Sequence, residues 1–155
     1  RNRGVLMDKD VIIYINGLQY AQTEEGSEPI EVITPGEYYF KNGNHYLMYD
    51  DADDEELTGS RNIIKFRDAY LEVTKRGART TKLVFEKDKK TLSQYQTPFG
   101  TMNIGITTTQ VSFKENPDSI ELTAKYSMDI NSGFIADCSV SVLAKSKKDN
   151  INILS

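Results

Sequence analysis

The single histidine and the single cysteine are the most chemically versatile residues of this 155-residue chain. A general base needs a nucleophile or a substrate proton within reach, and neither a Gly-x-Ser-x-Gly motif nor another partner motif accompanies His45. Cys138 falls on the apolar side of a predicted strand, without a Cys-x-x-Cys motif or a helix N-terminus to activate it. We therefore expect structural roles for both residues, predict no catalytic residues, and do not expect an enzyme.

A run of acidic residues at 50–56 is the next candidate, because six of its seven positions are Asp or Glu. Carboxylate oxygens bind Ca²⁺ or Mg²⁺, and Asp51, Asp53 and Glu55 match the first three alternating positions of an EF-hand loop. The sixth position lacks the required glycine, and the twelfth lacks the bidentate glutamate. We therefore expect a solvated loop and no metal or other cofactor, with these three residues as weak metal candidates.

Residue usage indicates that strands must position these groups. Val, Ile and Thr together number 35 and Tyr adds 9, whereas Ala and Leu total 17. Branched and phenolic side chains fit a pleated, half-buried surface. Residues 120–130 alternate strictly between apolar and polar side chains, and residues 134–144 repeat the pattern after an Asn-Ser-Gly turn. These two segments predict an antiparallel hairpin with one dry face.

Similar segments predict about ten or eleven strands, which places the chain among all-β proteins. We predict one domain over 1–155, a single antiparallel closed or nearly closed barrel of calycin or lipocalin type with about 8–11 strands. Its core would cover about 11–144, with tails at 1–8 and 145–155. Pro35-Gly36 is expected to separate two strands, residues 22–28 to form a loop, and Asn42-Gly43 to form a hairpin turn.

The predicted barrel interior is mostly apolar. Parity places the following side chains inward: Ile104, Ile106, Tyr126, Met128, Phe134, Val140 and Val142. Such an interior is either a solid core or a pocket for one small ligand. An arginine beside tyrosine and threonine hydroxyls could bind a ligand carboxylate, or could close one barrel end by hydrogen bonds to strand carbonyls. The candidate ligand-binding residues are Arg76, Tyr95, Thr97, Thr108, Tyr126 and Met128.

A family resemblance supports the barrel. The segment Tyr95-Gln96-Thr97-Pro98-Phe99-Gly100, followed by Ile104 and Thr108, resembles the signature of the YwiB-like family of small bacterial proteins of unknown function. Further matches are Glu37-Tyr38-Tyr39, Arg76-Gly77, Phe85 and Tyr126. The resemblance runs from about Val11 to Ala144 and implies a calycin-like barrel, related in shape to lipocalins and fatty-acid-binding proteins. It carries over no catalytic residue, and the acidic 50–56 loop departs from the family pattern.

Charge helps to separate the possible partners. The formal charge is −4, and without the six acids of the 50–56 run it would be +2. A basic outer wall could form from Arg61, Lys65, Arg67, Lys75, Arg76, Arg79 and Lys82, but Tyr70 is the only aromatic residue evident among them. Single-stranded nucleic acids usually bind where basic and aromatic side chains alternate, so we do not expect a nucleic-acid partner. No apolar run is long enough for a membrane helix, so we expect no membrane partner either.

Two functions remain open. The first is binding of a small hydrophobic or amphipathic molecule in the barrel lumen. The alternative is a solid, non-catalytic structural or interaction barrel that meets a protein partner through the acidic 50–56 loop or the basic outer wall. The single unpaired cysteine and the family resemblance favour the bacterial cytoplasm.

Overall fold

The computed structural model describes residues 7–23, 26–50, 60–77 and 80–147, without the side chains of 19–23, 26–29, 95–97 and 134–135. The described chain forms ten strands. They are β1 (Asp10–Thr23), β2 (Gly26–Lys41), β3 (Asn44–Asp50), β4 (Arg61–Arg67), β5 (Tyr70–Arg76), β6 (Thr81–Glu86), β7 (Lys90–Thr97), β8 (Gly100–Asn116), β9 (Ser119–Ile130) and β10 (Gly133–Ser146).

All ladders are antiparallel, and the strand order is β6-β5-β4-β3-β2-β1-β10-β9-β8-β7. The first and last strands therefore pair in the middle of the sheet, with Val11 opposite Ser146. The sheet curls until its two edge strands, β6 and β7, approach each other. The prediction of a single, nearly closed antiparallel barrel is confirmed.

The seam between β6 and β7 is closed by side chains instead of a main-chain ladder. The Thr91 hydroxyl donates to the Val84 carbonyl, and the Ser93 hydroxyl donates to the Lys82 carbonyl at 2.8 Å. Near the turn that joins the two strands, the Asp88 amide donates to the Thr108 carbonyl at 2.9 Å. Hydroxyl groups thus satisfy carbonyls that a complete barrel would pair through the backbone.

The turn between β2 and β3 follows the sequence prediction. Asn42 and Gly43 both have positive φ, at 54° and 79°. A two-residue hairpin turn of this kind matches the twist of its flanking strands. The turn between β9 and β10 likewise uses positive φ, at Asn131 and Ser132.

Two sequence predictions of interrupted strands are wrong. β2 runs without a break through Pro35-Gly36, because glycine allows a close approach there: a Cβ on Gly36 would lie 2.4 Å from Ile13 Cδ1 and 2.6 Å from the Met48 carbonyl oxygen. The predicted loop at 22–28 is strand on both sides, with Gln22 opposite Ser27, and only 24–25 lie outside the described residues. Both errors come from treating polar or turn-type residues as breaks when long-range pairing decided otherwise.

Alternating side chains on the strands build the core. In β3, His45, Leu47 and Tyr49 are buried, and in β4 their counterparts are Asn62, Ile64 and Phe66. Inward positions of the other strands complete one continuous cluster. Of the predicted inward set, Phe134 has no described side chain, Met128 is half-buried, and the other five are buried. Within the described part of the chain, no helix has the length and apolarity to cross a membrane.

Candidate functional site

The two ends of the barrel differ in how completely they are filled. Because neighbouring strands are antiparallel, odd-numbered strands begin at one end and even-numbered strands begin at the other. We call the first end the closed end and the second end the mouth. The closed end holds fully buried side chains from five strands, namely Val11, Leu47, Phe66, Leu71 and Ile120, each at most 2 % exposed.

His45 lies in the middle of the closed end and is 2 % exposed. The rings of Phe40, Phe66 and Phe113 surround it, with centroids 4.8, 5.0 and 4.9 Å from the imidazole centroid. Nδ1 of His45 lies 2.8 Å from the Tyr38 hydroxyl, in a buried hydrogen bond. The polar edge of the imidazole is therefore paired inside an aromatic cluster.

Glu115 approaches the other edge of His45. Its Oε1 lies 3.8 Å from Nε2, which allows an electrostatic interaction but is too long for a direct hydrogen bond. The resulting Tyr38–His45–Glu115 row resembles an acid–base relay in composition. The imidazole is 2 % exposed and is surrounded by three phenylalanine rings, as a packed core residue is.

The mouth is lined by apolar side chains that remain half-buried. Each shares a strand face with fully buried core residues, as Met102 does with Ile104 and Ile106. The half-buried inward residues toward the mouth are Val32, Val73, Leu83, Met102, Met128, Ile130 and Cys138, and Phe40 and Phe113 are half-buried at the closed end. The residues toward the mouth come from six strands, so partly exposed apolar surface surrounds the mouth on most of its circumference.

A group of polar residues lies at the rim of the mouth. The sequence did not predict Tyr49 or Asn62 as site residues, and it placed Lys75 on the basic outer wall, whereas Lys75 lies on the inward face of β5. Tyr49 and Asn62 point inward and are 6 % and 7 % exposed. Lys75 is opposite Asn62 in the β4–β5 ladder and is exposed. Its parity with Leu71 and Val73 is the sequence signal that places it on the lumen side. Lys75 thus brings a positive charge to the inner rim.

The structure separates the residues predicted to bind a ligand. Arg76 is exposed and lies on the strand face opposite to that of Lys75, across from Arg61. Thr108 and Tyr126 face each other in the β8–β9 ladder and are both buried, while Met128 lies half-buried one inward position nearer the mouth. Arg76 is therefore not brought to the lumen beside Thr108. The side chains of Tyr95 and Thr97 lie outside the described residues, as do Asp51, Asp53 and Glu55.

Thr108 is the least satisfied polar group in the described core. Its side chain is 1 % exposed, and its hydroxyl has no hydrogen-bond partner among the described residues. Thr108 is the last regularly paired residue before a β-bulge between Thr108 and Gln110. Its backbone amide donates a hydrogen bond to the Lys89 carbonyl at 3.2 Å. Opposite it, the ring of Tyr126 packs edge-on against Phe85, with centroids 4.8 Å apart. A buried hydroxyl without a hydrogen-bond partner lowers the free energy of unfolding, so Thr108 differs from the satisfied polar groups of the core.

The remaining chemistry of the described chain is limited. Its residues contain no group of three or more His, Cys, Asp or Glu side chains arranged to hold a metal ion. Cys138 is a free, half-buried thiol on the lumen side of β10. The inward face of the described strands is therefore mostly apolar, with a few polar contacts.

These features define a class of protein, the nearly closed antiparallel β-barrel with a lined mouth. The chain belongs to the family described as Domain of unknown function (DUF1934), which it matches over residues 13–142. The crystal structure of the ywiB protein from Bacillus subtilis resembles it with a TM-score of 0.69 at 19 % identity, covering 89 % of this chain and 92 % of that chain. This match supports the shared fold, and the resemblance to the YwiB-like family is confirmed. No curated protein matches the sequence.

Proposed function

We propose that the barrel binds a small apolar or amphipathic molecule in its lumen, admitted through the mouth. The observation that carries this proposal is the ring of half-buried inward side chains on six strands. Apolar surface left partly exposed in a concave site is the usual lining of a ligand pocket. The buried side chains of the closed end, such as Phe66 and Leu71, would form the floor of the pocket.

A charged group near the lumen suits an amphipathic ligand. Lys75 is exposed at the rim, and its positive charge would suit the polar end of such a molecule. The apolar part would contact Met102, Met128 and their half-buried neighbours. Methionine side chains adapt to varied ligand shapes because they are unbranched and polarisable.

A binding role without catalysis is part of this proposal. The enclosure of His45 by aromatic rings supports it, because a general base must reach a substrate proton. A cytoplasmic location also remains part of the proposal, supported by the free thiol of Cys138.

The test uses a neutral fluorescent dye, N-phenyl-1-naphthylamine, with native mass spectrometry of the purified protein to detect a retained molecule. Val32 and Ile33 provide a matched pair, because Val32 is half-buried on the lumen side and Ile33 is 59 % exposed on the outer side. Val32→Trp fills lumen volume and should weaken dye binding about fivefold or more. Ile33→Trp should leave dye affinity within about twofold of wild type.

Failure to bind the dye, together with native mass spectra free of a retained molecule, would refute lumen binding. Equal effects of the two tryptophan substitutions would also contradict it, since the dye would then bind outside the lumen. Either result would favour the solid interaction barrel. A pull-down with the acidic 50–56 loop deleted would then show whether that loop contacts a protein partner.

A further inference from the structure

The outer wall formed by β2 to β5 brings tyrosines and cationic side chains together. We define the tyrosine–cation wall as six outward residues: Tyr39, Lys41, Tyr46, Lys65, Arg67 and Tyr70. In the ladders, Tyr39 is opposite Tyr46, Tyr46 is opposite Lys65, and Arg67 is opposite Tyr70. Directly opposed side chains are within contact range, with Cβ atoms about 5 Å apart. The four strands thus display one continuous patch that alternates aromatic rings and positive charges.

Cations lie close to each tyrosine ring of the wall. The Arg67 guanidinium carbon is 3.9 Å from the centroid of the Tyr70 ring, and Lys65 Nζ is 5.9 Å from that of Tyr46. Lys9 Nζ, from the segment preceding β1, is 5.4 Å from the Tyr39 centroid. Tyr39 and Tyr46 also line an open groove of about 570 Å³, together with Phe40, Lys41 and Met48. The rings are therefore accessible to a planar partner and are flanked by charge.

The cations in the middle of the wall are not neutralised. Among the described residues, no carboxylate oxygen lies within 4.0 Å of the charged groups of Lys41, Lys65 or Arg67. Arg67 donates instead to the Asn44 side-chain oxygen at 3.1 Å. These charges remain available to a bound anion, unlike those of cations elsewhere on the barrel that form ion pairs, such as Lys90 with Asp129 at 3.2 Å.

The acids at the borders of the wall are already engaged. Glu72 is opposite Lys65, but it accepts a hydrogen bond from the Tyr70 hydroxyl at 2.7 Å and pairs with Lys82 at 3.8 Å. Burial and this hydrogen bond to Glu72 raise the pKa of Tyr70 to about 12, so its ring stays neutral. Glu37 pairs with Arg61 and with Lys9. These two carboxylates therefore face their own partners, and Glu86, opposite Tyr70, pairs with Lys89 at 3.0 Å.

We propose that the tyrosine–cation wall binds single-stranded nucleic acid. The accessible rings of Tyr39 and Tyr46 would stack on bases, while Lys41, Lys65 and Arg67 would contact phosphates. Aromatic platforms interleaved with basic groups are the usual basis of sequence-tolerant single-strand binding. An acidic peptide would use the charges but not the rings, and a duplex would keep its bases stacked away from them.

The register of the sheet brings aromatic residues to the wall, contrary to the expectation from the sequence that no nucleic acid binds. That expectation rested on the shortage of aromatic residues among the basic residues of β4 to β6. Tyr39 and Tyr46 lie on β2 and β3, and the sheet register brings them beside Lys65. The proposal is independent of ligand binding in the lumen, because the wall faces the outside of the barrel.

The outer face of β1 and β10, next to β2 in the sheet, provides a matched control. Lys145 Nζ lies 6.0 Å from the centroid of the Tyr14 ring, so the same kind of tyrosine–lysine pair occurs there. Its groove is also lined by Glu31 and Glu121. Phosphates should be repelled at that pair, although the ring and the lysine are the same.

The experiment measures binding of a fluorescent oligothymidylate of roughly 15 nucleotides to the full chain by anisotropy, at about 50 mM salt. Tyr46→Ala should weaken binding about tenfold, and Tyr46→Phe, which keeps the ring, should stay within about twofold. Lys65→Gln should lower the slope of log affinity against log salt by about 0.7. Tyr14→Ala and Lys145→Gln should change affinity less than about twofold. Circular-dichroism melting checks that every variant is folded.

Several results would overturn the proposal. One is the absence of binding at low salt. Another is an equal loss of oligonucleotide affinity in the Tyr46→Ala and Tyr14→Ala variants, which would show that binding does not depend on the tyrosine–cation wall. Competition by polyglutamate as strong as by unlabelled oligonucleotide would assign the wall to acidic peptides. Equal affinity for duplex DNA, insensitive to Tyr46→Ala, would reduce the interaction to general charge attraction.

Discussion

At the closed end, aromatic rings surround His45 and leave it 2 % exposed. The mouth is lined by valine, leucine, isoleucine and methionine side chains that stay half-buried. The same strands supply both ends. In β5, Leu71 at the closed end is 1 % exposed, while Val73, one inward position further on, is only partly buried. In β8, Phe113 packs on His45 and Phe66, while Met102 lies at the mouth. The fully buried residues of the closed end include Val11, Leu71 and Ile120, whose side chains are no larger than those that line the mouth. Position along the barrel axis, and not side-chain size, therefore distinguishes buried from half-buried positions.

The largest expected effect on stability lies at the centre of the closed end. Phe66 is fully buried and contacts the rings of His45 and Phe113. Phe66→Ala should lower the free energy of unfolding by about 3–5 kcal/mol, because it removes contacts and leaves a cavity. Urea denaturation followed by circular dichroism measures this change. A loss below about 1 kcal/mol would show that the closed end is not tightly packed.

The same substitution at each end provides a direct comparison. Leu71→Ala, at the closed end, should cost about 2–5 kcal/mol in unfolding free energy. Leu83→Ala, at the mouth, should cost about 1 kcal/mol, because that side chain is already partly exposed. Both values come from the same urea titrations. Equal costs would remove the distinction between a packed end and an open end.

A smaller effect is expected from the hydrogen bond within the aromatic cluster. Tyr38→Phe removes the hydroxyl that lies 2.8 Å from Nδ1 of His45. The unfolding free energy should fall by about 1–2 kcal/mol, because a buried ring nitrogen loses that contact. Thermal melting at neutral pH measures the change, and Tyr39→Phe on the outer face is the control. An unchanged melting temperature would show that the pair contributes no net stability.

The smallest effect concerns the outside of the closed end, where Tyr70 begins β5. Its pKa is raised from 10.0 to about 12, first by burial and then by the hydrogen bond to Glu72. The folded state therefore retains the phenol proton where the unfolded state has lost it, so this contribution to stability is present below pH 10 and is lost between about pH 10 and pH 12. The absorbance of tyrosinate is measured against pH for the wild type and for Tyr70→Phe. The difference between the two curves should have its midpoint near pH 12. A midpoint near 10 would contradict the raised pKa of Tyr70.

Sequence alone predicted much of the fold, because its signals are local. Alternation over residues 120–130 places Leu122, Ala124 and Tyr126 inward, as found. The break predicted at Pro35-Gly36 was wrong, because the space available to Gly36 depends on Ile13 in another strand. Local patterns predict strands well, but they do not reveal which strand supplies the neighbours.

The candidate sites were less predictable for the same reason. The sequence shows no partner for His45, since its neighbours Phe113 and Glu115 are distant along the chain. Arg76 and Lys75 differ by one position, and that position decides which one reaches the inner rim. The pairing of Tyr46 with Lys65 likewise required the register between two strands. Sites of this kind are created by register, which a single sequence encodes only weakly.

Because side-chain hydroxyls close the seam between β6 and β7, the chain can be divided there into two fragments. Among the described strands, every ladder joins neighbours in sequence except the one between β1 and β10. The barrel is thus two meanders, β1–β6 and β7–β10, joined by one ladder and by side-chain hydrogen bonds from Thr91 and Ser93. Cutting the backbone in the turn at 87–89 would interrupt no ladder. The two resulting fragments should reassemble on mixing, with β1 and β10 as the recognition edge between them.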